Sequence, residues 1–138
     1  MDLKKYLEKN SLGEPAYASP TDRTHGSLIN SAILQPKKFS INDNATFYRE
    51  VKLMENGIEI GRVDLVAHTL DELVVVEAKS ISNRGPKSYS RSKDKSNLQL
   101  SRAYRYFMQH FGTQPRMIGL YFISASKDIY SYQLKKSI

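Results

Sequence analysis

The chain has 138 residues, 40% of them hydrophobic, and a net charge of +7, which fits a single domain with a real core. It has no cysteine, so disulfides, thiolate zinc sites and iron–sulfur clusters are excluded and a cytoplasmic setting is expected. No apolar run reaches the roughly 18 residues of a membrane span and no signal-peptide pattern opens the chain. No membrane association is therefore expected, and 21 Lys and Arg against 14 acids suit a phosphate-rich partner.

In chain order, residues 1–45 read as a helical region. Residues 2–10 form a short amphipathic helix with Leu3, Tyr6 and Leu7 on one side. Thr21 or Asp22 can cap a second helix that runs to Leu34 and stops before Pro36. The core, 46–138, starts with three antiparallel strands, Phe47–Leu53, Ile58–His68 and Leu73–Lys79. Asn56-Gly57 joins the first two, a pair suited to a turn whose central residues both need positive φ. Residues 80–97 show no apolar period and carry Arg84, Lys87, Arg91, Lys93 and Lys95 against the single acid Asp94. They read as a basic mobile loop placed to grip phosphates. Ser96 or Asn97 then caps a helix Leu98–Phe111, whose apolar stripe is Leu100, Ala103, Tyr104, Phe107, Met108 and Phe111. Strands Met117–Ser124 and Ile129–Leu134 follow. The fold class expected is α/β, a mixed sheet flanked by helices.

The chemistry concentrates between Gly61 and Ser80, GRVDLVAHTLDELVVVEAKS. The run Leu73–Val76 spells a buried strand, yet it ends in Glu77-Ala78-Lys79, and a buried unpaired charge is costly. A turn centred between Leu70 and Asp71 puts Asp64 opposite Glu77 and Arg62 opposite Lys79. Opposed residues share a face, with Cβ atoms about 4.5–5.5 Å apart. Glu77 and Lys79 share that face too, because strand side chains alternate. Two carboxylates that close repel unless a cation lies between them. Mg²⁺, a hard ion that takes carboxylate oxygens and keeps several waters, is the natural occupant. The three histidines, His25, His68 and His110, share no ligand spacing.

The order strand–Asp64–strand–Glu77-Ala78-Lys79–helix resembles the PD-(D/E)xK nuclease superfamily. The words GRVDLV, VVVEAK and NLQLSRAYRYF look most like archaeal Holliday-junction resolvases and mismatch endonucleases, over roughly residues 46–124. The resemblance implies a restriction-endonuclease-like sheet and a Mg²⁺-dependent DNA endonuclease, with Mn²⁺ able to substitute. It implies that Asp64, Glu77 and the Ala78 backbone carbonyl hold metal. Lys79 would act on the attacking water, and Gln99 would be an auxiliary beside the metal. The family's further acid falls here on Glu50, or upstream on Glu8 or Asp22. A strict Asn56-Gly57 turn puts Arg49 opposite Asp64, whereas a bulge at Gly61 brings Glu50 there. One site cuts one strand, so a homodimer is expected. The alternative is a non-catalytic nucleic-acid-binding protein that keeps the fold.

Overall fold

The computed structural model describes residues 2–12, 25–81, 86–123 and 128–135, with backbone alone at 25–27 and 86–89. Its elements are α1 (Leu3–Lys9), α2 (His25–Leu34), a 3-10 turn (Pro36–Phe39), β1 (Thr46–Glu55), β2 (Ile58–His68) and β3 (Leu73–Ile81), followed by α3 (Pro86–Phe111), β4 (Arg116–Ile123) and β5 (Asp128–Leu134). The strands lie side by side in chain order, β3 and β4 parallel and all other neighbours antiparallel. The protein is thus α/β with a five-stranded mixed sheet. Among the described residues no helix is long and apolar enough to cross a membrane.

Each helix sits where its sequence allows. Asp2 caps α1, its carboxylate accepting from the N–H groups of Lys4 and Lys5, two donors with no partner inside the helix. Lys9 in the last turn complements the helix dipole. The expected caps of α2, Thr21 and Asp22, lie outside the described residues. One face of the sheet packs against α1 and α3 through Tyr6, Leu7, Leu100, Ala103, Tyr106 and Phe107. The other packs against α2 and the 3-10 turn through Leu28, Ile29, Ala32 and Phe39.

The basic loop expected over 80–97 is the main correction. β3 continues to Ile81, and residues from Pro86 onward belong to α3, a 26-residue helix. Ser96 and Asn97, expected as caps, are helix interior. Pro86 is the first helical residue, a place where its fixed φ suits the helix and its missing N–H costs nothing. The apolar period is absent from this half for a packing reason. Ser96, small and fully buried, meets the sheet where a larger apolar residue would be expected. Lys93 Nζ lies over the Tyr132 ring, 5.2 Å from its centroid, a cation–π contact made by a charged residue. Arg84 lies outside the described residues.

The β1–β2 hairpin turns at Asn56 and Gly57, with φ of 52° and 78°. Two residues beyond it, Met54 pairs with Glu59 but Leu53 pairs with Gly61. Ile60 is therefore extra, so of the two registers open to this hairpin the bulged one forms, with the shift one residue before Gly61. Such a bulge strands backbone groups, and two tyrosines take them. Tyr6 Oη accepts from the Met54 N–H at 2.9 Å and donates to the Lys52 carbonyl. Tyr106 Oη donates to the Met54 carbonyl at 2.7 Å and lies 2.9 Å from Tyr6 Oη. Burial pushes the Tyr6 phenol far above its ordinary range, so it stays a donor. Tyr106→Phe removes the donor to the Met54 carbonyl, and leaving a buried acceptor unmet costs about 1–3 kcal/mol. A drop of that size in urea unfolding free energy is expected, with the fold intact by circular dichroism.

Candidate active site

The strands that carry the two acids part at the level of those acids. Leu65 pairs with Val76, Val66 with Val75, Ala67 with Val74 and His68 with Leu73, the register read from the sequence. The ladder ends there, so Asp64 and Glu77 face each other where no β2–β3 backbone pairing continues. Their side chains replace the missing bonds reciprocally. Asp64 Oδ2 accepts from the Ala78 N–H at 2.8 Å, and Glu77 Oε1 accepts from the Asp64 N–H at 3.3 Å. Each acid is thereby tied to the other strand, and their separation is set by backbone rather than by flexible side chains.

The bulge brings Glu50 level with Asp64, since Arg49 pairs with Leu65 and Val51 with Val63. Neither Glu50 nor Asp64 joins that ladder. Tyr48, Val51, Val63 and Val66 all lie in the core under α3, although residues three apart on a regular strand face opposite sides. Both strands therefore slip half a period at this level. Glu50 absorbs the slip with a φ of 51°, a left-handed conformation that costs about 1–2 kcal/mol in a residue with a Cβ. That is about what burying one Leu or Val side chain returns, so the core sustains it. The Glu50 carboxylate points to Arg62, Oε2 to Nη1 3.8 Å. Arg62 is shared with Glu59, at 3.0 Å, and pairs with Lys52 on β1, while the β2–β3 ladder ends before the level at which the hairpin alone sets it against Lys79. Among the described residues no three His, Cys, Asp or Glu side chains form a cluster fit for a metal ion. Asp64 and Glu77 are thus brought together, and Glu50 reaches their level without joining them.

Glu77 is 2% exposed. Burial first, and then the negative charge of Asp64, push its carboxyl up to about 10. Lys79, on the same face, opposes this only weakly. Burial and the neighbouring acid thus favour a proton on the pair, and a cation placed between the two carboxyls would relieve the same repulsion. The donor set fits a hard divalent cation in this sense, with two carboxylates held together whose joint ionisation requires positive charge. Clefts of about 650 and 530 Å³ elsewhere, beside Leu70 and beside His110, are not lined by either acid.

The surroundings of Glu77 and Lys79 hold residues that the sequence reading missed. On β4, Gly119 pairs with Glu77 and Tyr121 with Lys79. A Cβ on Gly119 would lie 2.1 Å from the Tyr132 ring, so glycine here makes room for that ring. Tyr132 stacks on Tyr121, with centroids 5.3 Å apart, and its hydroxyl donates to Asn97 Oδ1 at 2.6 Å. A lone glycine inside an apolar strand was the available signal, since it marks a close approach. Gln99 Oε1 is buried and lacks a hydrogen-bond partner among the described residues. Arg91 and Lys95 are exposed on α3, Lys93 is committed to Tyr132, and only the backbone of Lys87 is described. No protein-family model and no curated protein matches this sequence.

Glu77→Gln separates the charge from the shape. The folded carboxyl titrates far above the unfolded one, so its neutral form costs nothing below the unfolded value near 4.5. As pH rises above that value the unfolded chain ionises first, so wild-type stability falls with rising pH until the raised folded group ionises as well. The variant has no such loss. In EDTA its melting temperature should exceed that of wild type at pH 8 and converge with it near pH 4.5. Scanning calorimetry over that range checks this.

Proposed function

We propose that the protein is a divalent-cation-dependent nuclease acting on DNA, with Asp64, Glu77 and Lys79 at its centre. The observation that carries the reading is the reciprocal seating of Asp64 and Glu77 across parted strands, with Lys79 two residues on and on the same face. Such a pair is suited to hold positive charge at a fixed point. The strand order, with a helix crossing from β3 to the parallel β4, is compatible with a restriction-endonuclease-like arrangement and supports the same reading.

In this reading Asp64, Glu77 and the Ala78 carbonyl hold Mg²⁺ or Mn²⁺. Such an ion lowers the pKa of a bound water and offsets charge on a phosphate under attack. Lys79 orients the attacking water and stabilises the charge that develops as water adds to phosphorus and the P–O bond to the sugar breaks. Gln99 assists from α3. Arg91 and Lys95, exposed four residues apart on α3, form a helical row one turn in spacing and bind phosphates. A homodimer would bring two such sites to the two strands of a duplex.

Purified protein on labelled linear, single-stranded and four-way-junction DNA should cut with Mg²⁺ or Mn²⁺ and not with EDTA. Asp64→Ala should reduce cleavage at least a hundredfold while leaving DNA affinity within about twofold, a contrast expected when metal chemistry and phosphate binding are separate. Wild-type binding without cutting under every metal condition would instead favour a non-catalytic DNA-binding protein. In the same gels, replacing Arg91 and Lys95 by Ala should weaken binding. The slope of log affinity against log salt should fall by up to about 2, near 0.9 for each phosphate that is no longer neutralised.

A further inference from the structure

The face of α3 that meets the sheet is one stripe at helical spacing, Ser96, Leu100, Ala103 and Phe107, each 0% exposed. Three of the four lie in the core with Val75 and Met117. The fourth is a hydroxyl, and Ser96 Oγ has no hydrogen-bond partner among the described residues. Gln99 Oε1, three residues on, is buried and equally unmet. Buried polar atoms are nearly always paired, so two orphaned oxygens on adjacent turns of one helix ask what donates to them.

Their level on the sheet can be fixed in two ways. α3 returns from the end of β3 to the start of the parallel β4, so it runs against β3. A helical turn rises about 5.4 Å and two strand residues about 6.6 Å. Stepping one turn toward the N-terminus of α3 from the residues that share the core with Val75 therefore moves toward the Glu77 end of β3. The second route is direct. Tyr132 Oη reaches Asn97, its ring covers Gly119, and Gly119 pairs with Glu77 on β3 and Tyr132 on β5. Asn97, the residue after Ser96, is thus tied through Tyr132 to the β5–β4 row that continues into Glu77 on β3.

We infer that Ser96 Oγ, with Gln99 Oε1, accepts hydrogen bonds from the water shell of a divalent cation seated at Asp64 and Glu77. This rests on the metal reading proposed above and adds a positioning residue to it. Waters on a dication are strong donors, and Mg²⁺ keeps several of them. Neutral oxygens suit this role, because they orient the waters without adding a third negative charge to a buried pair.

The test is Mn²⁺ binding to the full chain, followed by the electron paramagnetic resonance signal of free Mn²⁺, for wild type, Ser96→Ala and Asp64→Ala. Wild type should bind, Asp64→Ala should not, and Ser96→Ala should bind about tenfold more weakly, the usual effect of removing a partner that orients metal ligands. In EDTA, Ser96→Ala should melt at or above the wild-type temperature, since its hydroxyl has nothing to lose there. Unchanged Mn²⁺ affinity in Ser96→Ala beside normal wild-type binding would overturn this inference and leave the nuclease reading standing. A lower melting temperature in EDTA would also overturn it, by showing that the hydroxyl serves the fold. Absence of Mn²⁺ binding in wild type would overturn the metal reading and this inference with it.

Discussion

The structure turns on a break in the β2–β3 ladder and on what fills it. Sheet strands normally satisfy each other's amides. Here Asp64 and Glu77 do so with carboxylates, each accepting from the opposite strand. That exchange converts two backbone vacancies into a fixed acidic pair. It also commits Glu77 to a place where burial and a like charge oppose its ionisation. Burying one carboxyl against another is a standing cost.

Much of the remaining architecture serves this point from a distance. The Ile60 bulge resets the β1 register, and Tyr6 and Tyr106 hold that bulge from two different helices. Without the shift Arg49 would stand level with Asp64. With it Glu50 does, in a left-handed conformation that a regular strand would not impose. On the opposite side, Gly119 admits the Tyr132 ring, and Tyr132 fastens α3 at Asn97. Both flanks of the acidic pair are thus set by tyrosine hydroxyls that reach across elements. A hydroxyl on a rigid ring fixes distance better than a long flexible chain does, because few rotamers must be frozen.

How much was legible follows from how local each signal was. The Asn56-Gly57 turn, the β2–β3 register, the five strands and the C-terminal half of α3 rest on neighbours in sequence, and the periodicities that report them are short-range. The facing of Asp64 and Glu77 followed from that register alone. The N-terminal half of α3 was read as a basic loop because its inward face lacks an apolar stripe. Ser96 is buried there with a hydroxyl and Lys93 sets its ammonium over the Tyr132 ring, and neither registers as hydrophobic period.

By itself the sequence determined the strand pattern, the turn chemistry, the pairing of Asp64 with Glu77 and the shared face of Glu77 and Lys79, because each depends only on alternation and turn length. Tertiary structure alone decided the rest. The parting of β2 from β3, the bulge at Ile60, the turning of Glu50 to Arg62 and the burial of the Ser96 hydroxyl all depend on distant residues packing together. Such choices are made by the balance of burial against unmet hydrogen bonds across the whole core, and no window along the chain contains that balance.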